Sequence, residues 1–142
     1  MTDRFLIDNS AWAQLNHPNL PPETIEWAAQ AFAERRAVVC LPFLLEAGYS
    51  ARDSADHERI FTTLLDLPRV VIDDHIEQMA LDTQRRLANA GHHRLPPPDL
   101  IVAAAAGWHG FSVLHYDGDF DVIKERGGLD FTSIWLAERG TL

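Results

Sequence analysis

The chain has 142 residues, 46% of them apolar and 23% charged, which suits one globular domain with a sizeable core and excludes a disordered or fibrous protein. A formal net charge of −9 argues against a general nucleic-acid coat protein, though not against an enzyme that works on phosphodiesters through a bound dication. The single cysteine, Cys40, excludes an internal disulfide and a cysteine-rich zinc site, and no apolar run approaches the ~20 residues that cross a bilayer.

Phe5-Leu6-Ile7 reads as a short apolar strand that stops at Asp8; this is no signal-peptide form, and a cytoplasmic protein is expected. Asp8-Asn9-Ser10 leaves the strand end, and Ala11-Trp12-Ala13 begins a short helix or turn. Pro21-Pro22-Glu23 has the form of a helix start, with proline and an acid in the first turn. Ile25, Ala28, Ala29 and Phe32 give that helix one apolar face. Ala37 to Cys40 is a second buried strand. The helix after it carries Pro42 near its start and, at Glu46, an acid in a run otherwise apolar from Val38 to Gly48.

Ser54 to Leu67 reads as a further helix and Arg69 to Ile72 as the third strand. Asp73 can cap the next helix, whose Ile76, Thr83, Leu87 and Ala90 keep a 3.6 period until Gly91 ends it. Pro96, Pro97 and Pro98 stop any earlier helix and hold the backbone extended ahead of Asp99. Asp99 then opens a helix in which Leu100 to Ala106 carry no polar side chain, so it is expected to be packed nearly all round. Residues 111–114 form a buried strand that runs out into Asp117, Asp119 and Asp121. One or two helical turns over Val122 to Arg126, a break at Gly127-Gly128 and a last strand over Leu129 to Trp135 complete the chain. Strands interleaved with helices imply right-handed crossovers. The expected fold is therefore α/β, a single domain over residues 1–142 with a central parallel five-stranded sheet flanked by helices on both faces.

In such sheets ligands bind beyond the carboxyl ends of the strands. With the first strand central and the second and fourth beside it, Asp8, Glu46, Asp99 and Asp117 come to one edge. Three of them also have an ordinary structural use: Asp8 can cap a short helix, Asp99 can favour a helix dipole, and Asp117-Gly118-Asp119 is turn chemistry. Glu46 is harder to dismiss, as an acid within an apolar run is rarely buried without a partner. It is their joint placement that points to a site. Two like charges ~4 Å apart repel by about 4 kcal/mol at an effective dielectric of ~20, so crowded carboxylates need protons or a bridging cation. An all-oxygen donor set suits Mg²⁺ or Mn²⁺ rather than zinc, and such a site can hydrolyse a phosphodiester.

These residues together resemble a PIN domain of the VapC toxin type, over nearly the whole chain. Leu6-Ile7-Asp8-Asn9-Ser10 resembles the family's opening strand, Leu45-Glu46 its second motif, Asp99 with its alanine-rich helix the third, and Asp117-Gly118-Asp119-Phe120 the fourth. The resemblance implies a Mg²⁺- or Mn²⁺-dependent endoribonuclease in which Asp8, Glu46, Asp99 and Asp117 are the metal-site acids, with Asp119 a possible fifth and Asn9 and Ser10 orienting the first. It implies a homodimer and a cognate VapB-type antitoxin, whose groove is expected along the early helices, where Trp12, Trp27 and Phe43 could supply apolar surface, with plain core as the favoured alternative for each. Arg85, Arg86 and Arg94 are candidate contacts to RNA phosphates, with a plain solvated helix face as the alternative for the first two. One position departs from the family: His115 stands where it usually has Thr or Ser, two residues before the fourth Asp.

The rival from another class is a PIN-like module with a degraded site, kept for binding metal or protein. Other α/β hydrolases fit poorly. A receiver domain wants an acidic pair after its first strand, a haloacid-dehalogenase-type phosphatase wants an Asp where Ser10 stands, and no glycine-rich phosphate loop occurs. No His-x-x-x-His pair is present to build a zinc hydrolase.

Overall fold

The computed structural model describes residues 3–142. Its elements in chain order are β1 (Phe5–Ile7), α1 (Asn9–Trp12), α2 (Pro22–Ala33), β2 (Ala37–Cys40), α3 (Leu41–Tyr49), α4 (Ser54–Leu64), β3 (Arg69–Val70), α5 (Asp74–Asn89), α6 (Pro97–His109), β4 (Ser112–His115), α7 (Asp119–Arg126) and β5 (Thr132–Trp135). The five strands form one sheet in the order β3-β2-β1-β4-β5, and every pairing is parallel. Every residue of β1 and β2 is buried, as strands covered on both faces require. From β1 the chain builds outward to β2 and β3, then returns to place β4 and β5 on the other side. The order therefore reverses between β1 and β4, where ligand crevices open in such sheets.

The helix boundaries correct the sequence reading in places where local chemistry decides. Pro97 and Pro98 do not hold extended backbone ahead of a helix; they form its first turn, with Pro96 as the N-cap. A proline nitrogen has no proton to leave unpaired there, and its fixed φ already suits the helix. α6 ends at Gly110, whose φ of 71° is left-handed. Between these limits Leu100 and Val102 to Ala106 are all buried, and the alanines let the helix lie close to β1, β4 and α3. α7 begins at Asp119 rather than Val122, because the Asp117 carboxylate accepts the Asp119 N–H at 2.9 Å and starts the turn early.

Strand lengths follow from their partners. β3 stops at Val70 instead of Ile72, since its register, Val39 with Arg69 and Cys40 with Val70, reaches the end of β2 there. β5 starts at Thr132 rather than Leu129, opposite Ser112 where β4 begins. α4 closes at Leu64, short of Leu67. Asp66 and Leu67 donate to the carbonyls of Thr63 and Leu64 in a tightened turn, and Pro68 disfavours helix in the residue before it.

Candidate metal centre

Asp8 closes β1 at the point where the strand order reverses, and its side chain caps α1. Its Oδ2 accepts both the Ser10 N–H at 2.9 Å and the Ser10 hydroxyl at 2.6 Å. That hydroxyl oxygen in turn accepts the Tyr116 N–H at 2.9 Å, tying the end of β1 to the segment leaving β4. The capping role and a site role are thus compatible, because one carboxylate oxygen does the capping and the other, Oδ1, is buried with no hydrogen-bond partner.

Two further buried carboxylate oxygens share this condition among the described residues: Glu46 Oε1 and Asp99 Oδ2. Glu46 is half-buried on α3, and Asp99 is 7% exposed in the first turn of α6. Asp99, Asp117 and Asp119 each offer an oxygen within 4.8 Å of the others'. Asp8 stands outside that tightest trio, yet its charge acts on both Asp99 and Glu46. The structure therefore gathers all five acids singled out in the sequence, as a trio with Asp8 and Glu46 beside it.

The electrostatics register the crowding. Burial, and then the charges of Asp8, Asp117, Asp119 and Glu46, push the Asp99 carboxyl up to about 8. Burial also raises Asp8, with a smaller contribution from Asp117, and raises Glu46, with help from Asp8. Asp119 is raised by burial and Asp117, against the opposing pull of Arg139. Two carboxylates at the 4.8 Å limit repel by roughly 3 kcal/mol at an effective dielectric of ~20, before solvent screens the half-exposed Asp117 and Asp119. Unpartnered, converging, all-oxygen donors of this kind fit a hard dication.

His115 is wholly buried at the end of β4, out of reach of a substrate phosphate, and stacks on Phe120 with ring centroids 4.9 Å apart. Its Nδ1 accepts the Asp117 N–H at 3.2 Å, so its proton sits on Nε2, 2.6 Å from the Ser133 hydroxyl. Ser133 donates to Asp121 Oδ1 at 2.8 Å, and Trp135 Nε1–H donates to Asp121 Oδ2 at 2.9 Å. Burial drives the His115 imidazole down to about 4, against the charges of Asp121 and Asp117, which keeps it neutral. The histidine thus fixes the backbone of Asp117 from behind.

Asn9 is half-buried in a shallow cavity of about 340 Å³ with Pro42, Leu45, Glu46, Tyr49, Ser50 and Pro98. Behind Glu46, Cys40 is fully buried, and burial with the charges of Asp8 and Glu46 pushes its thiol up to about 12. Of the arginines expected near RNA, Arg85 pairs with Asp82 at 3.1 Å and Arg86 lies against Gly128, while Arg94 is exposed in the turn before α6. Arg139, which the sequence reading did not single out, stands over Gly118. No local motif marks it; it arrives there only because β5 lies beside β4.

The expected apolar groove is present but its lining differs. Trp12, Leu15, Ile25, Ala28, Ala29, Phe32 and Thr63 surround about 260 Å³ between α1, α2 and α4. Phe43 is fully buried in the core, and Trp27 stacks on Phe5 at 5.4 Å, so neither joins the groove lining.

Comparison with known proteins gives the same picture. Residues 5–126 match the PIN domain family. The chain is 34% identical to Ribonuclease VapC51 of Mycobacterium tuberculosis, with 100% of this chain and 99% of that protein covered. It is 39% identical to Ribonuclease VapC2 of the same species, covering 90% and 91%. The DNA-bound VapBC structure from Salmonella typhimurium superposes on it with a TM-score of 0.72, at 18% identity, over 96% of this chain and 100% of that one; this is a likeness of fold.

Proposed function

The chain belongs to the PIN domain family, and on that premise we propose that it is a metal-dependent endoribonuclease, the toxin of a VapBC-type toxin–antitoxin pair. The observation that carries this reading is the convergence of Asp99, Asp117 and Asp119 within 4.8 Å, with orphaned buried oxygens on Asp99 and on Asp8 and Glu46, whose charges act on it. A module kept for protein contact alone has no physical reason to keep that arrangement, since each unpaired buried acceptor costs stability.

Asp8, Asp99, Asp117 and Asp119 would hold Mg²⁺ or Mn²⁺. A dication held there would supply neutralisation of the acids, polarisation of a phosphodiester oxygen and a lowered pKa for nearby water. Ser10 and the His115 chain hold Asp8 and the Asp117 backbone in place, so these groups do not have to be ordered when substrate arrives. Glu46, whose affinity for a proton is raised, is placed to take the proton of an attacking water. Because burial and the neighbouring acids raise Asp99 to about 8, loading is expected to release a proton, and metal affinity is expected to rise with pH.

The groove around Trp12 and Phe32 has the form that an amphipathic antitoxin helix requires: apolar and open along one side. A homodimer is supported by apolar surface on α3 and α5, where Leu45, Tyr49 and Leu81 are exposed. Arg94, and Arg85 or Arg86 on release from their present contacts, are further candidates for RNA phosphate.

Incubating the purified protein with total cellular RNA tests the central reading. Cleavage is expected in Mg²⁺ or Mn²⁺, none in EDTA, and a loss of at least a hundredfold in Asp8→Asn and Asp99→Asn, as order-of-magnitude effects of removing a preorganised charge. Wild-type rates in both variants would remove the acid cluster from the chemistry.

A further inference from the structure

We propose that Arg139 is a substrate-binding residue, whose guanidinium takes a phosphate of the RNA strand at the rim of the acid cluster. The proposal rests on the ribonuclease reading above and adds to it the cation that brings a polyanion up to a negatively charged site.

The chain after β5 is folded back so that this side chain arrives at one place. Leu136 N–H donates to the His115 carbonyl at 2.8 Å, and Leu142 N–H donates to the Tyr116 hydroxyl at 2.9 Å. Between them the Glu138 carbonyl accepts the Thr141 hydroxyl at 2.6 Å and the Thr141 N–H at 3.2 Å. Both anchors lie on the two residues that immediately precede Asp117. The loop thus sets Arg139 against the Asp117-Gly118-Asp119 turn.

There the guanidinium lies 5.6 Å over the Trp135 ring. Its Cζ, Nη1 and Nη2 would each be 3.0 Å from a Cβ at position 118. Gly118 has a φ of −61°, which any residue adopts, so the backbone does not call for glycine. A side chain there would press on the guanidinium, the movable end of the arginine, so the contact marks how closely Arg139 lies over the turn. The cation is close enough to Asp119 to pull its carboxyl down, yet among the described residues Arg139 makes no ion pair and donates no hydrogen bond. A planar fork held between an aromatic face and a glycine, with its donors unspent, suits bidentate capture of phosphate. Arg85 is bound to Asp82, and Arg86 packs against Gly128. Arg139 therefore differs from Arg85 in being unpaired, and from both in being adjacent to the acids.

The test uses a random-sequence 12-nucleotide single-stranded RNA, with binding followed by fluorescence anisotropy in Mn²⁺ across a salt series. The uncleaving Asp99→Asn protein is compared with the same protein carrying Arg139→Gln or Arg139→Lys. Arg139→Gln is expected to weaken binding about tenfold, as loss of a charge-assisted contact does. It should also reduce the slope of log affinity against log salt by about 0.7, the value for one phosphate contact on a single strand. Arg139→Lys should restore the slope and only part of the affinity. In the otherwise wild-type enzyme, Arg139→Gln should raise KM for total RNA with kcat nearly unchanged, and Mn²⁺ binding by calorimetry should be no weaker.

Unchanged affinity and salt slope in Arg139→Gln would overturn the proposal. So would weaker RNA binding accompanied by weaker Mn²⁺ binding, which would make Arg139 a structural support of the acids. A parent protein that neither binds nor cuts RNA would instead overturn the ribonuclease reading itself.

Discussion

Asp99 is the residue at which burial and charge act most strongly together. A carboxyl whose folded pKa is near 8 keeps a proton that the unfolded chain, with the ordinary value of 3.8, has already lost. Stability of the metal-free protein therefore falls as pH rises from about 4 towards 8, because the unfolded state binds fewer protons over that window. Asp99→Asn removes this penalty. In EDTA the variant is expected to melt above wild type at pH 8, with the difference shrinking towards pH 4; a gap that widens on acidification would contradict the raised pKa. Divalent metal should reverse the order, stabilising wild type more than the variant. Asp99 and Asp8 were legible in the sequence because strand ends and helix starts mark where a parallel sheet presents its ligands. Ser133, Asp121 and Trp135 were not, since their tie to His115 depends on the register Ser112 with Thr132, which no local pattern records.

Among the elements, α2 shows how an apolar periodicity can be read correctly without disclosing its purpose. Ile25, Ala28, Ala29 and Phe32 do share a face, and it lines an open groove whose floor, at Ala28 and Phe32, meets the rest of the molecule while Ile25 stays open. Ile25 remains 47% exposed, and the core contact of α2 falls to Ala28 and Ala31. Periodicity reports that a face must be covered; it does not say whether the same chain covers it. Ile25→Arg should therefore leave thermal stability within about 0.5 kcal/mol, as a surface change does, and leave RNA cleavage intact. The same change should abolish co-purification with a co-expressed antitoxin. Retained capture would move the docking surface elsewhere. α6 gives the opposite lesson. Its unbroken apolar run predicted burial on nearly every side and was right, while its prolines were read as a barrier when they are the first turn.

For the whole molecule, the parallel five-stranded sheet could be inferred from strands alternating with helices, whereas the place of β1 at its centre was a supposition, since no pairing is visible in a sequence. The structure supplies that order, and the acids follow from it. Among the described residues no helix is long and apolar enough to cross a membrane. What stayed hidden was the far edge, where β5 and the returning tail deliver Arg139 to a turn some twenty residues earlier in the chain.

Cys40 turns this architecture into its own gauge. The thiol sits at the end of β2, and its full burial, with a smaller push from the charges of Asp8 and Glu46, raises it to about 12, so alkylating reagents meet almost no thiolate while the sheet is closed. Modification must wait for the protein to open. The labelling rate should accordingly track opening of the central strands, and saturating Mn²⁺ should slow it in wild type by the factor that binding adds to stability. Asp99→Asn should blunt that slowing. With one thiol in the chain, mass spectrometry of intact protein would count it directly, giving a readout of site occupancy that needs neither RNA nor antitoxin.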